Sequence, residues 1–477
     1  MKFSDLLPQQ TKVENDFEIQ NITDDSRNIK AGDVFVFDKN ITSQNGEKFI
    51  SDALANGAKA VISNIKMDGV SYTENPALCL VKWAKNQYPK MPKCIAGVTG
   101  TNGKTSVVWF YRQIMNALKH KTAALGTLGI YAENKKIADT GYTSPTALVL
   151  HKYLNELSAN GITHTALEVS SHSLALHRVD GVPFNVAAFT NLTQDHLDFH
   201  GSMENYATAK YRLFSELLVQ GGTAVIHITK PECLPLLTMC KLSNMNIITY
   251  GTHSAELVVK PIKIQNNGME IELLYQLEKH KCFVSLVGEF QVENIATAVG
   301  MAIASGETFE NVCSVIEHIT SVPGRMEIIS PLNKEQPTVV VDYAHTPDAL
   351  KNAIKSLKPQ VTGKLWVVFG CGGDRDKTKR PQMGKIAAEY ADVAIVTDDN
   401  PRTENAQNVR KDVLIGCPKA QEVAEREKAI SYAISNAKPE DTILVAGKGH
   451  ESGQIIGKEV IPFDDREVVR NLLKDVA

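Results

Sequence analysis

The stretch Gly100-Thr101-Asn102-Gly103-Lys104-Thr105-Ser106 holds the residue types that bind a nucleoside triphosphate. Its glycines allow a tight backbone that turns several N–H groups toward one anion. A helix opening directly behind the loop would add its positive N-terminal end. In that geometry Lys104 reaches the terminal phosphates and the Thr105 hydroxyl serves Mg²⁺. One position differs from the general phosphate-loop pattern: five places before Gly103 stands Val98, and the glycines are at 97 and 100 instead. Triphosphate binding is the expected chemistry.

Two further groups bear reactive side chains. Glu168, in Leu167-Glu168-Val169-Ser170-Ser171-His172, reads as a strand end opening into a loop, where α/β proteins place ligand groups. Its carboxylate suits Mg²⁺, although such a residue alone is commonly solvated or paired locally. Residues 191–200 pack Asn191, Asp195, His196, Asp198 and His200 together. Hard magnesium prefers oxygen, so a His196 ligand would be the less usual partner. Lys210, in Ala207-Thr208-Ala209-Lys210-Tyr211, reads in isolation as a surface lysine on a helix.

The elements that must position these groups follow from apolar patterning. Residues 94–99 predict a strand running into the glycine loop, with a helix starting at Val107. Strand–helix alternation is expected to continue to about residue 320, where Val322-Pro323-Gly324 breaks it. Four apolar strands then follow at 338–341, 365–369, 393–396 and 442–445, separated by helical segments. They predict a parallel sheet covered on both faces. Before residue 90 a strand is expected at 33–37, a helix stopped by glycine at 48–57 and a strand at 60–63, with a proline- and lysine-bearing linker at 88–93. A chain of 477 residues suggests about three domains, here 1–90, 91–323 and 324–477.

Lys plus Arg number 51 and Asp plus Glu 54, a net charge of −3, which argues against a nucleic-acid binder. A 43% hydrophobic and 22% charged composition argues against wholesale disorder. Eight scattered cysteines without a Cys-x-x-Cys pair point to reduced core thiols rather than a disulfide frame or zinc knuckle. The polar start shows no signal core, and no run approaches the ~18 apolar residues of a spanning helix. A cytoplasmic protein without a membrane span is expected.

Eight blocks in order resemble the Mur ligase family of bacterial cell-wall synthesis. They are Gly100–Thr105, Glu168–His172, Asp195–Asp198, Gly324-Arg325-Met326-Glu327, Asp342-Tyr343-Ala344-His345-Thr346-Pro347, Gly372–Lys377, Asp399-Asn400-Pro401-Arg402 and Gly447-Lys448-Gly449-His450-Glu451. The resemblance implies an α/β chain of three domains: an N-terminal UDP-binding domain, a central P-loop ATPase with a mostly parallel sheet, and a C-terminal Rossmann-like domain for the amino-acid substrate. It implies ATP-driven amide formation, in which the free carboxylate of UDP-MurNAc-L-Ala-D-Glu is phosphorylated and an amine displaces the phosphate. Negative charge crowds together at that step, so Mg²⁺, Lys104 and the loop N–H groups are needed to neutralise it.

By the same resemblance, Lys104, Glu168, His196 and Lys210 are catalytic. Thr105, Glu168 and His196 would hold magnesium together with Lys210 as its carbamate (N6-carboxylysine), which turns a cation into an anionic oxygen ligand. ATP would lie on Gly100, Thr101, Asn102, Gly103, Lys104, Thr105 and Ser106, with Asn294 near the base and Arg325 and Asp342 near ribose and phosphate. Ser26 resembles the uridine-site serine, and Thr143, Ser144, Ser170 and Arg178 the residues that hold the muramoyl-dipeptide. Asp399, Asn400, Pro401 and Arg402 resemble the members that add meso-diaminopimelate, with Arg375, Gly447 and Glu451 as further binders of that substrate. A guanidinium grips a carboxylate through two parallel hydrogen bonds, and L-lysine, which lacks the far carboxylate, would leave Arg402 unpaired. A monomer is expected.

Three positions and one segment depart from the family pattern. Leu176 replaces a glutamine that contacts the nucleotide-peptide, Ser144 replaces a threonine, Thr42-Ser43-Gln44-Asn45-Gly46 replaces a glycine-containing loop ending in Asp-Gly near the uracil site, and Gln291 replaces an asparagine. The nearest rivals are the lysine-adding ligase, which Arg402 disfavours, and folylpolyglutamate synthase, which the long N-terminal region with Asp25-Ser26-Arg27 disfavours. A P-loop kinase would need no amino-acid domain. A nucleotide-gated binding protein would leave Glu168, His196 and Lys210 without a task.

Overall fold

Strand Cys94–Thr99 is buried at every position, because it lies inside a parallel sheet with both faces covered. The computed structural model describes residues 1–8, 15–40, 46–265, 268–329 and 335–475. Within it the chain forms two units, residues 1–250 with 297–312, and residues 251–296 with 313–477.

The first unit contains two sheets. Ile22–Thr23, Val34–Phe37, Ala60–Ser63 and Val70–Tyr72 form a four-stranded parallel sheet, with helices Gly46–Ala55 and Pro76–Gln87 beside it. Thr42 to Asn45, the departure noted near the uracil site, lie outside the described residues. The larger sheet runs Asn246–Gly251, Leu218–His227, Phe184–Phe189, Cys94–Thr99, His164–Glu168, Thr122–Gly126, all parallel. An antiparallel edge follows, Gly129–Ala132 and Lys135–Ala138. Gly97 is explained by packing here: a Cβ would come within 2.8 Å of the Phe184 ring.

In the second unit the four apolar strands are present as Thr338–Asp342, Leu365–Phe369, Val393–Val396 and Thr442–Ala446. The sheet order is Glu327–Ile329, Thr338–Asp342, Thr442–Ala446, Leu365–Phe369, Val393–Val396, Gln421–Glu422, parallel except at the first pair. Alternate residues feed different cores: Val340, Val367 and Leu444 one, Val339, Val368 and Ile443 the other. That two-sided burial is the reason these segments read as unbroken apolar runs.

Strand–helix alternation does not continue to residue 320. Leu257–Gln265, Gly268–Tyr275 and Glu278–Val284 form an antiparallel meander instead. Its turn at Gln276 and Leu277 takes positive φ at both residues, 47° and 73°. Neither is the glycine or asparagine that usually signals such a turn. All eight cysteines are free and buried. Among the described residues no helix is long and apolar enough to cross a membrane.

In both units the loops with reactive residues leave the C-terminal ends of parallel strands: 100–103, 169–170 and 190–196 in the first, 343–346, 370–375, 397–402 and 447–451 in the second. This is where open α/β sheets bind ligands. Behind the last loop, Arg426 donates to both oxygens of Asp465 at 2.7 Å and from Nη2 to Ala446 O at 2.9 Å, with both side chains fully buried. Asp465→Ala would strand the guanidinium and should cost about 3–5 kcal/mol in denaturant unfolding. A loss below about 1 kcal/mol, the scale of an exposed pair, would contradict this reading of the pair.

Candidate active site

The helix behind the glycine loop is Lys104–Ala117, so it begins three residues before the expected Val107. Gly103 caps it at φ 87°, and Lys104 and Thr105 therefore stand in its first turn, where unpaired N–H groups concentrate. Gly100 has φ 143°, and a Cβ there would meet Thr190 Oγ1 at 2.0 Å. The loop is fastened from a neighbouring strand end. Thr101 N donates to Asn191 O and Asn102 N to Asn191 Oδ1, both at 2.9 Å, and Thr190 Oγ1 donates to Asn102 O at 2.6 Å. These holding roles of Thr190 and Asn191 escaped the sequence reading, although Asn191 opens the polar cluster noted there.

Glu168 is 3% exposed and accepts from Thr105 Oγ1 at 2.9 Å, Thr127 N at 2.9 Å and Thr127 Oγ1 at 3.2 Å. Burial raises its pKa, while Lys104 and these donors pull it back. Gly126 is obligatory beside it, since a Cβ would lie 2.1 Å from Glu168 Oε1. Thr127 is a contact that sequence reasoning missed.

Lys210 corrects the surface-lysine reading: on helix Met203–Arg212 it is 1% exposed. Its Nζ donates to Gly100 O at 2.9 Å and lies 4.4 Å from the centroid of the Tyr206 ring. Lys104 Nζ donates to the same oxygen at 3.0 Å and to Thr101 O at 2.9 Å. Burial, and then the charge of Lys104, push Lys210 down to about 6.

His196 stands in the left-handed region at φ 51°, with Nε2 3.4 Å from Asp195 Oδ2 and its ring 4.7 Å from His172. Among the described residues no hydrogen bond joins it to Thr105, Glu168 or Lys210, and no three His, Cys, Asp or Glu side chains form a ready metal cage. Burial lowers His200 to about 4; its Nε2 lies 3.0 Å from Ser171 Oγ.

The residues expected to hold the dipeptide flank Glu168. Thr143 Oγ1 lies 3.1 Å from Thr127 Oγ1, and Ser144 Oγ donates to Glu168 O at 2.8 Å. Ser170 caps the short helix Ser171–Ala175, accepting from Ser173 N at 3.1 Å. Arg178 sits 5.5 Å from the Tyr142 ring, and its buried Nε has no partner among the described residues. Leu176 is buried. Ser26 opens the short helix Ser26–Asn28, capped by Asp25. Burial raises the pKa of Asp24, which no site assignment included, and the charge of Arg178 pulls it back.

In the second unit Asn294 Nδ2 donates to Gln291 Oε1 at 2.8 Å, so the substituted glutamine still supports it. Asp342 accepts from Met326 N at 2.8 Å and Ala344 N at 2.9 Å, and Arg325 stacks 4.6 Å from the Tyr343 ring. Arg402 has φ 51°; its backbone donates to Ile455 O at 3.0 Å, and its Nη1 donates to Gly373 O at 2.9 Å. Asn400 Nδ2 donates to Glu451 Oε2 at 3.0 Å. Asp399 is buried under Gly447, where a Cβ would approach Asp399 Oδ2 to 2.6 Å. Pro401 is buried, and Arg375 lies on an exposed loop, apart from this cluster's hydrogen bonds.

The family models Mur ligase middle domain and Mur ligase, glutamate ligase domain match residues 98–302 and 324–449. The UDP-N-acetylmuramoyl-L-alanyl-D-glutamate--2,6-diaminopimelate ligase of Mesorhizobium japonicum is 39% identical over 487 residues, covering 100% of both chains. The protein of the same name from Zymomonas mobilis is 40% identical, covering 96% of this chain and 95% of its own. A solved structure of UDP-N-acetylmuramoyl-L-alanyl-D-glutamate--2,6-diaminopimelate ligase superposes with a TM-score of 0.74 at 30% identity, covering 100% of this chain and 99% of that one.

Gly100→Ala should weaken nucleotide binding by about tenfold or more, because an L side chain at this φ costs ~1–2 kcal/mol before the clash with Thr190 is counted. An unchanged ADP dissociation constant, read by calorimetry, would contradict the loop geometry.

Proposed function

The chain belongs to the Mur ligase family, and from that premise we propose that it joins meso-2,6-diaminopimelate to UDP-MurNAc-L-Ala-D-Glu in an ATP-dependent step of peptidoglycan synthesis. The observation that carries this reading is end-to-end likeness to relatives bearing that name. The Asp399–Arg402 loop supports the choice of amine: the far carboxylate of diaminopimelate is the partner that a guanidinium fits in bidentate fashion. L-Lysine would set an ammonium near Arg402 with no carboxylate to offset it.

In the reaction a carboxylate oxygen of the D-glutamate attacks the γ-phosphorus, ADP leaves, the amine attacks the acyl carbon, and phosphate departs. Lys104 and the first-turn N–H groups of helix Lys104–Ala117 are assigned to the phosphates, where their positive charge offsets what gathers during transfer. Thr143, Ser144, Ser170 and Arg178 are assigned to the acceptor substrate, Ser26 to its uridine end. Asn294, Arg325 and Asp342 are assigned to ATP, and Arg375, Asp399, Asn400, Pro401, Arg402, Gly447 and Glu451 to the amino acid. We assign the three tasks to residues 1–90, 91–323 and 324–477 of a cytoplasmic monomer.

Magnesium fits the donor chemistry in part. Thr105 and Glu168 supply oxygen, suited to a hard cation, and His196 is a weaker candidate. Lys210 as an ammonium would repel the ion; as a carbamate it would complete the set. Its burial without a bonded carboxylate among the described residues fits that modification, since a neutral amine is the form that combines with CO₂. Bound there, the ion would supply charge neutralisation to the phosphates.

Purified protein with ATP, Mg²⁺ and UDP-MurNAc-L-Ala-D-Glu should release phosphate on addition of diaminopimelate and far less with L-lysine. Release without any amine would favour a kinase or simple ATPase. Arg402→Ala should raise the KM for diaminopimelate by tenfold or more, about the worth of a charge-assisted pair, while sparing ATP; equal effects on both would refute its role. Lys210→Ala should be nearly inactive yet partly rescued by short carboxylates, and no recovery at any concentration would count against the carbamate.

A further inference from the structure

Lys448 follows strand Thr442–Ala446 and is completely buried. Its Nζ donates to Asn400 Oδ1 at 3.0 Å, Glu451 Oε2 at 3.1 Å and Gly453 O at 2.6 Å, which uses all three ammonium hydrogens. Asn400 Oδ1 also accepts from Ile455 N at 2.9 Å. Two donors facing one end of the amide decide which end is oxygen. Turning the amide over would set its NH₂ against an ammonium and a backbone N–H at once, leaving buried donors unpaired.

The pairing also settles what is left over. Glu451 Oε2 is occupied by Lys448 and Asn400, while Glu451 Oε1 has no hydrogen-bond partner among the described residues. Among the described residues, Asn400 keeps one N–H uncommitted. An acceptor for an ammonium and a donor for a carboxylate therefore stand together, two residues before Arg402, whose Nη1 lies 3.5 Å from Asn400 O. An amino-acid end bears that same pair of groups.

We propose that Lys448 is a positioning residue for the amine substrate: it locks Asn400 to present an N–H and Glu451 to present its outer oxygen to the far amino-acid end of the diamine. This rests on the function proposed above. A merely structural Lys448, tying in place the antiparallel pair of strands Gly453–Ile456 and Glu459–Pro462, would affect stability and both substrates alike.

The test compares wild type, Lys448→Met, Glu451→Gln and the double variant in steady state, each with diaminopimelate, L-lysine and ATP varied in turn. Lys448→Met should raise the KM for diaminopimelate about tenfold or more, as when one partner of a buried charge pair is removed, and shift the KM for ATP less than about twofold. The ratio of kcat/KM for diaminopimelate over lysine should fall about tenfold. The KM rise in the double variant should be smaller than the product of the single rises, because both act on one network. Parallel rises for both substrates, multiplicative effects or an unchanged KM for diaminopimelate would each overturn the proposal. Should Lys448→Met fail to fold, Lys448→Gln, whose shorter neutral amide cannot serve all three acceptors, takes its place: a KM rise confined to diaminopimelate supports the proposal, and parallel rises or none overturn it. A wild type indifferent to diaminopimelate would sink the functional reading as well; a wild type that uses it beside an unaffected variant sinks this inference alone.

Discussion

Two lysines converge on one carbonyl oxygen. Lys104 and Lys210 both donate to Gly100 O, at 3.0 and 2.9 Å, one from the helix the loop opens and one from a helix 110 residues further along. Two ammonium groups at that spacing repel each other, and burial removes the water that would screen them. The structure accommodates them because Lys210 is pushed down to about 6 and sheds its proton near neutrality. Gly100 must hold its unusual φ so that its carbonyl faces both amines, and Thr190 and Asn191 hold the loop in that shape.

Lys448 makes the contrast plain. It is as deeply buried as Lys210, yet it meets a carboxylate oxygen, an amide oxygen and a carbonyl. A buried ammonium supplied with three acceptors has its charge offset where it lies. A buried amine given one carbonyl and an aromatic face has little to hold its proton. The same residue type therefore meets different surroundings in the two units, and the difference lies in its partners.

Much of this was legible in the sequence. The strands of the second unit announced themselves because both faces are covered, and the strand pattern set Gly100 just beyond one strand and Glu168 at the end of another. The meander was not legible because Gln276 and Leu277 adopt positive φ without a glycine to mark it. The early start of helix Lys104–Ala117 was hidden because a left-handed glycine, not a polar side chain, caps it. Lys210, between alanine and tyrosine on an ordinary amphipathic helix, reveals its burial only through a partner far away in sequence. Lys448 sits within a glycine-rich block, where nothing local signals that its ammonium is enclosed.

Carbon-13 NMR of the intact protein equilibrated with labelled bicarbonate above pH 6 tests the role of the two-lysine arrangement most directly. A carbamate resonance in the wild type that disappears in Lys210→Arg is the result this account requires. Identical spectra from the two proteins, in the presence of nucleotide and magnesium, would contradict it.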